Sequence, residues 1–287
     1  MSRRINGLIR WLCMLPVFTL GAQVVRTAHA EAELISEAAW LTPGQPFWVG
    51  LRLKLEKGWH TYWLNPGDAG LPVTIKWDLP AGFSVSAIQW PYPERIADPP
   101  LVSYGYHGET LLLVQVHPPA TLSGSTVELQ ARANWLVCRE HCLPEAARLR
   151  LRLPVRESRP AAATQWAPLF ARTRTQLPLT ASAWRVEAFL RDTTTLVLVL
   201  APPPNFRAKL QTLIFCPAEE MLIDNAVAPR FTAADGRYQL EFQLAPLRPE
   251  PPTRIAGVLI SDRGWHGNNT EKALWVEVPI QGRSASP

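Results

Sequence analysis

The feature that most constrains this chain is an alternation of side-chain character with a period of two. Apolar residues occupy every second position from Phe47 to Leu55, and the pattern returns in residues 127–135, 149–153, 238–244 and 274–280. Successive side chains of a β-strand point to opposite faces, so this period is typical of antiparallel strands with one face on a core. Clusters of Pro and Gly separate the runs at intervals that suit sandwich strands. The pattern predicts an all-β protein built from antiparallel β-sandwiches.

The length predicts two domains, because 287 residues are about twice the usual size of one domain. Between the two sets of alternating runs lies a stretch rich in Pro and Ala that contains the only plausible helix. We expect this helix to pack Trp166, Leu169 and Phe170 at the domain junction. The predicted segments are a signal peptide in 1–30, a first sandwich in 31–155, a linker in 156–177, a second sandwich in 178–281 and a polar tail in 282–287.

The first thirty residues predict export. They begin with the basic sequence Ser2-Arg3-Arg4, continue with an apolar stretch over residues 11–22, and end with Ala28-His29-Ala30, which fits the small-x-small rule for signal-peptide cleavage. We expect cleavage after Ala30. No later run approaches the roughly eighteen apolar residues that a membrane helix needs. The mature protein is therefore expected in the periplasm without a membrane span.

The net charge of +5 depends on that leading segment. Its four arginines are accompanied by no acidic residue, and the rest of the chain holds 25 basic and 24 acidic residues. A chain so close to neutral does not offer the clustered positive charge that neutralises phosphates. The charge balance therefore excludes nucleic acid as the expected partner.

The sharpest motif is WLVCREHCLPE, residues 135–145. If the strands on either side form a hairpin with residues 139–141 as its loop, Cys138 and Cys142 lie directly opposite each other. Opposed residues in an antiparallel ladder are about 4.5–5.5 Å apart, which suits a disulfide. The core-facing residues of both strands have odd numbers. The two cysteines have even numbers, so we expect them on the face turned away from the core.

Three interpretations of this cysteine pair remain open from spacing alone. A structural disulfide is common in exported proteins, although a bridge over so short a loop contributes only about 2 kcal/mol by loop entropy. A redox pair is favoured by Arg139 and His141, whose positive charge would stabilise a thiolate. Copper(I) binding by Cys138, His141 and Cys142 is the third interpretation. The remaining cysteine, Cys216, lies in an apolar run and is expected to be buried and unreactive.

Four ordered motifs then point to a family. Residues 58–83, 88–96 and 102–114, together with the cysteine motif, resemble the amino-terminal periplasmic domain of the thiol:disulfide interchange reductases of the DsbD family, particularly its ScsB-like branch. The strong part of the resemblance covers residues 40–155. A weaker part in residues 212–231 resembles the second sandwich of ScsB-like proteins.

The resemblance implies an immunoglobulin-like fold for the sandwiches and thiol:disulfide interchange, without a cofactor, for the cysteine pair. In the family the pair relays electrons from a membrane-embedded domain to periplasmic thiol oxidoreductases. By the resemblance, Cys142 is the attacking sulfur and Cys138 the resolving one. Aromatic residues shield the pair in the family, and the candidates for that role here are Trp59, Tyr62, Tyr104 and Tyr106.

Two features depart from the family pattern. Full-length members continue into membrane helices and a thioredoxin-like domain, and this sequence shows neither, so we expect a separate membrane electron conveyor and separate thioredoxin-like partners. The protein would then be one component of a thiol:disulfide oxidoreductase system. The cysteines are also separated by three residues, where the best-known reductases have a longer loop. The rival interpretation is a non-catalytic module that binds a partner protein or copper and carries a structural disulfide.

Overall fold

The structure, a computed structural model, describes residues 23–157, 161–248 and 250–281. Most of the predicted signal peptide and the predicted polar tail, residues 282–287, lie outside the described residues. Within them almost all regular structure is β, with one short helix, α1 (Ala167–Arg174). No helix in this described part has the length and apolar character needed to cross a membrane. The prediction of an all-β fold is confirmed.

The amino-terminal half, residues 23–157, consists of two sheets. Its strands are β1 (Val25–Arg26), β2 (Ala30–Ser36), β3 (Phe47–Leu55), β4 (His60–Gly67), β5 (Thr74–Asp78), β6 (Ser84–Val85), β7 (Glu94–Asp98), β8 (Leu101–His107), β9 (Glu109–His117), β10 (Thr126–Cys138) and β11 (Cys142–Pro154). One sheet has the order β1-β2-β3-β9-β6. The other has the order β11-β10-β4-β8-β7, with β5 paired to β10.

A single core lies between these two sheets. Leu51 and Leu53 of β3 and Leu129 and Trp135 of β10 all belong to it, and all four side chains are buried. Burial of a large apolar side chain contributes about 1.5–3 kcal/mol, so this contact between the sheets is a major source of stability. The alternation predicted for β3, β10 and β11 is confirmed, because their core residues are those that the period of two assigns to one face.

The predicted helix is present, but its expected location was wrong. Phe170 of α1 is fully buried against Ile35, Leu111 and Leu113, on the outer face of the sheet that contains β2 and β9. Strand β9 has consecutive apolar residues, so both of its faces need cover, and the helix covers the outer one instead of a domain junction. The partly buried members of this cluster are Trp48, Trp166, Leu169 and Leu177.

The carboxy-terminal half forms one further sheet with its own core. Its strands are β12 (Arg185–Leu190), β13 (Thr195–Ala201), β14 (Leu213–Pro217), β15 (Arg230–Ala234), β16 (Arg237–Gln243), β17 (Arg254–Ser261) and β18 (Ala273–Gln281). The order is β14-β17-β18-β12-β13-β16-β15, with β12 and β18 parallel. Phe215 of β14 and Phe242 of β16 meet with ring centroids 5.5 Å apart, so the sheet closes over its core as a sandwich. Alternation predicts which face is buried but not the direction of a neighbouring strand, so the parallel pair could not be foreseen.

The segment just before β2 is hydrogen-bonded to strand β11 in the second sheet of the amino-terminal half. The hydroxyl of Thr27 and the backbone N–H of His29 donate to the two carboxylate oxygens of Glu145 at 2.6 and 2.9 Å. The ring of His29 stacks on Trp59 with centroids 3.7 Å apart. Cleavage after Ala30 stays a prediction, and it would remove these contacts, whereas a chain that begins at Gln23 keeps them.

We predict that a chain starting at Glu31 is less stable than one starting at Gln23 by about 2 kcal/mol, the usual contribution of a hydrogen bond to a charged group. Denaturant unfolding of the two chains measures the difference. The Glu145→Gln substitution is the control, because truncation should cost less in its presence if the carboxylate carries the effect. Equal stability of the two chains would contradict the prediction, and the intact mass of the exported protein shows which chain occurs.

Cys216 of β14 is free and fully buried, packed beside the core of the amino-terminal half. Burial raises the pKa of its thiol, so the thiolate form is suppressed at neutral pH. We predict slow alkylation of Cys216 in the native oxidised protein and fast alkylation after unfolding. Mass spectrometry of the alkylated chain, with Cys216→Ser as control, measures both rates. Fast labelling in the native state would overturn the prediction.

Candidate redox site

The two cysteines lie at the end of the longest paired hairpin. Strands β10 and β11 pair without interruption from Thr126 opposite Pro154 to Cys138 opposite Cys142. The Cα atoms of the two cysteines are 4.2 Å apart and their sulfurs form a disulfide. The direct opposition inferred from the spacing is therefore what the structure has.

The two sulfurs differ in their surroundings. Val137 packs into the core, and Cys138 beside it points to the opposite face of the sheet, as the residue parity predicts. Cys138 is nevertheless only 3% exposed, whereas Cys142 is exposed. An incoming thiolate must approach a disulfide sulfur along the S–S axis, so the exposed Cys142 is the sulfur open to attack.

Tyr62 of β4 is the side chain that contacts both sulfurs. Its hydroxyl donates to Cys138 Sγ at 2.8 Å and lies 3.3 Å from Cys142 Sγ. Tyr62 is buried, and burial raises its pKa, so the hydroxyl keeps its proton at neutral pH. A hydroxyl in this position can donate to a thiolate on Cys138 when the disulfide opens, and charge-assisted hydrogen bonds are about twice as strong as neutral ones.

The ring of Tyr62 is covered by a loop. Residues 68–73, here called the covering loop, connect β4 to β5. Gly70 in this loop has a φ of +113°, and a Cβ atom there would lie 2.3–2.6 Å from atoms of the Tyr62 ring. Only glycine allows the backbone to approach the ring this closely. The covering loop therefore packs directly against Tyr62, the side chain that contacts both sulfurs.

His60 lies beside Cys138 on the other side of β10 and contributes no charge. It pairs with Cys138 across the sheet, and its ring lies edge-on to Tyr62 and His107, with centroids 5.3 and 5.6 Å away. Burial and the neighbouring His107 lower the pKa of His60, so the ring is neutral at neutral pH. Its buried Nε2 atom has no hydrogen-bond partner among the described residues.

The predicted cationic residues, Arg139 and His141, lie in the turn that connects the two cysteines. The Arg139 guanidinium lies over the ring of Trp59, 5.6 Å from its centroid, and is 3.7 Å from the Glu140 carboxylate. Trp59 is in turn stacked on His29. His141 is exposed at the tip of the turn. The contacts of Arg139 and Trp59 brace the turn that connects the two cysteines.

Besides Trp59, two more of the four predicted shielding aromatics have other partners. Tyr104 and Tyr106 belong to the core of the amino-terminal half, and their hydroxyls donate to Asn225 Oδ1 and to the carbonyl of Pro91, each at 2.7 Å. The reason is strand alternation. Gly105 lies opposite Tyr62, so the side chains on either side of Gly105 point to the other face of the sheet.

The described residues contain no group of three or more His, Cys, Asp or Glu side chains placed to hold a metal ion. Cys138, His141 and Cys142, the candidate copper ligands, are not assembled into such a group. The two thiols that would bind copper(I) are joined to each other. This geometry offers a disulfide for exchange.

The fold and the site together define a β-sandwich domain that carries a disulfide hairpin. Residues 30–154 match the family described as the thiol:disulfide interchange protein DsbD, N-terminal. These residues, less than half of the chain, are similar to that family, as their motifs predicted.

A solved structure is similar to both halves of the chain. The N-terminal periplasmic domain of ScsB from Proteus mirabilis, a crystal structure, is similar with a TM-score of 0.66 and 16% sequence identity, and the match covers 93% of this chain and 100% of that one. At this identity the likeness concerns the fold, and it extends over both halves of the chain. No curated protein sequence matches the chain.

We predict that Tyr62→Phe makes the disulfide harder to reduce, because Cys138 loses its hydrogen-bond donor in the thiolate form. The equilibrium constant for reduction by glutathione should fall about tenfold, as expected for the loss of a hydrogen bond to a charged group. Tyr106→Phe is the matched control, since its hydroxyl contacts a backbone carbonyl and no sulfur. Equal equilibrium constants for the two variants would contradict the role given to Tyr62.

Proposed function

We propose that this protein is a periplasmic electron relay that exchanges its Cys138–Cys142 disulfide with thioredoxin-like oxidoreductases. The observation that carries the proposal is the asymmetry of the pair, in which an exposed Cys142 is bonded to a buried Cys138 that accepts a hydrogen bond from Tyr62. A disulfide of this kind has one sulfur open to attack and one able to leave as a stabilised thiolate. The family of the domain supports the reaction class.

Reduction of the pair begins at the exposed sulfur. A thiolate of the electron donor attacks Cys142 Sγ, the bond between the two cysteines breaks, and its electron pair remains on Cys138 Sγ. Tyr62 stabilises that thiolate through its hydroxyl. The second donor thiol then loses its proton and attacks the donor sulfur of the mixed disulfide, so that the donor leaves as a disulfide, Cys142 takes the proton as a thiol and Cys138 remains the thiolate. We propose a separate membrane electron conveyor as the donor.

Delivery of the electrons uses the same two sulfurs in the reverse roles. The Cys142 thiolate attacks the disulfide of a thioredoxin-like partner and forms a mixed disulfide with it. Cys138 then attacks Cys142 Sγ, the mixed disulfide breaks, and the partner leaves as a dithiol. Cys142 is thus the attacking residue and Cys138 the resolving one. We assign this exchange to the first sandwich, residues 31–155, and treat residues 178–281 as a second domain.

We predict that Cys138→Ser, which keeps the attacking thiol and lacks the resolving one, accumulates a mixed disulfide with an oxidised thioredoxin-like protein. Cys142→Ser should accumulate little, because its remaining thiol is buried. Acid quenching and non-reducing electrophoresis, with both variants made in a Cys216→Ser background, show which one carries the adduct. Adducts mainly on Cys142→Ser would reverse the roles. Adducts on neither would favour the rival interpretation of a structural disulfide in a binding module.

A further inference from the structure

The covering loop over Tyr62 is bound by a residue of the carboxy-terminal half. Asp68 begins this loop, and its Oδ1 accepts a hydrogen bond from Asn225 Nδ2 at 2.7 Å. Its Oδ2 accepts from the backbone N–H of Val102 in β8 at 2.8 Å. Asp68 is therefore held between its own sheet and a loop of the other half of the chain.

Both polar side-chain atoms of Asn225 form hydrogen bonds with the amino-terminal half. While Nδ2 donates to Asp68, Oδ1 accepts from the hydroxyl of Tyr104 at 2.7 Å, and the backbone carbonyl accepts from Arg95 at 2.9 Å. The preceding residue, Asp224, ties the same loop back to its own sheet, because its N–H donates to the carbonyl of Gln243 in β16. Asn225 is thus held by its own half of the chain and bonded to the first residue of the covering loop.

A second contact holds the approach to the loop. Asn65 of β4 is only 2% exposed, and its Nδ2 donates to the carbonyls of Pro217 and Glu219 at 2.8 and 3.1 Å. Its Oδ1 accepts from the N–H of Gly67 at 2.9 Å, immediately before the covering loop. The carboxy-terminal half therefore constrains both the end of β4 and the first residue of the loop.

The covering loop is connected to the sulfurs through the side chain of Tyr62. Gly70 is in contact with the ring of Tyr62, and the Tyr62 hydroxyl donates to Cys138 Sγ. We infer that Asn225 is a positioning residue of the redox site, which holds the covering loop against Tyr62 and thereby keeps the hydroxyl on Cys138. The carboxy-terminal half then influences how readily the disulfide is reduced. This inference deepens the proposed function and rests on it for its physiological meaning.

The variants Asn225→Ala and Asn225→Asp test the inference in the full-length chain. Alanine removes the bonds to Asp68 and Tyr104, and aspartate places a second carboxylate against Asp68. We expect the equilibrium constant for reduction by glutathione to fall about threefold or more for alanine, the effect of a weakened hydrogen bond, and further for aspartate. Asn205→Ala, an exposed position in the same half, is the matched control and should leave the constant unchanged.

The same substitution in the Tyr62→Phe background separates positioning from a structural role. If Asn225 acts through the Tyr62 hydroxyl, Asn225→Ala should change the equilibrium constant by less than twofold once that hydroxyl is gone. An undiminished change in this background would overturn the inference, as would no change in the wild-type background. Both equilibrium constants are measured with glutathione and do not depend on whether thioredoxin-like proteins exchange with the pair. The trapping experiment tests the proposed function separately, so its failure is distinguishable from a failure of this inference.

Discussion

The pairing of β10 with β11 is the constraint on which the site depends. A slip of one residue would turn every core side chain of one strand to the outer face, so burial of Leu129, Trp135 and Val137 specifies the register. That register places Cys138 opposite Cys142 whether or not they are bonded. Because the disulfide itself contributes only about 2 kcal/mol while each large buried side chain contributes about 1.5–3 kcal/mol, the bond can open and close without unfolding the sandwich.

The sequence predicts those features of the site that depend on residues close together in the chain, and misses those that depend on distant strands. The opposition of Cys138 and Cys142 could be predicted because a short turn and a period of two determine it within a dozen residues. The separation of Tyr62 from Tyr104 and Tyr106 could not, because it depends on which residue of β4 faces Gly105, and the register of β4 with β8 shifts beyond Tyr62. The helix was recognised, but its location depends on the outer face of a sheet assembled from distant strands.

The sequence predicts that the cationic residues of the turn favour a thiolate, and the structure places a further hydrogen-bond donor at the buried sulfur. Arg139 of the turn lies over Trp59, and the ring of His60, which pairs with Cys138 across the sheet, is kept neutral by burial. The donor at the buried sulfur is the hydroxyl of Tyr62, to which the proposed exchange assigns the stabilisation of a thiolate on Cys138. Burial raises the pKa of Tyr62, so in the proposed exchange the hydroxyl keeps the proton that it donates to a thiolate on Cys138 at neutral pH.

The contact between the two halves combines two kinds of interaction with different consequences. Cys216, Val258 and Ala273 of the carboxy-terminal half join the apolar cluster of the amino-terminal half, and such burial holds surfaces together without specifying their orientation. Hydrogen bonds from Asn65 and Asn225 are directional, and a misaligned partner would leave the buried Asn65 amide unpaired. The apolar contact therefore supplies attachment, and the polar contacts determine where the covering loop lies. The hydrogen bond from Tyr62 to Cys138 weakens with distance and misalignment, so a loop that is bound by both halves of the chain and packs on the Tyr62 ring matters to the proposed chemistry.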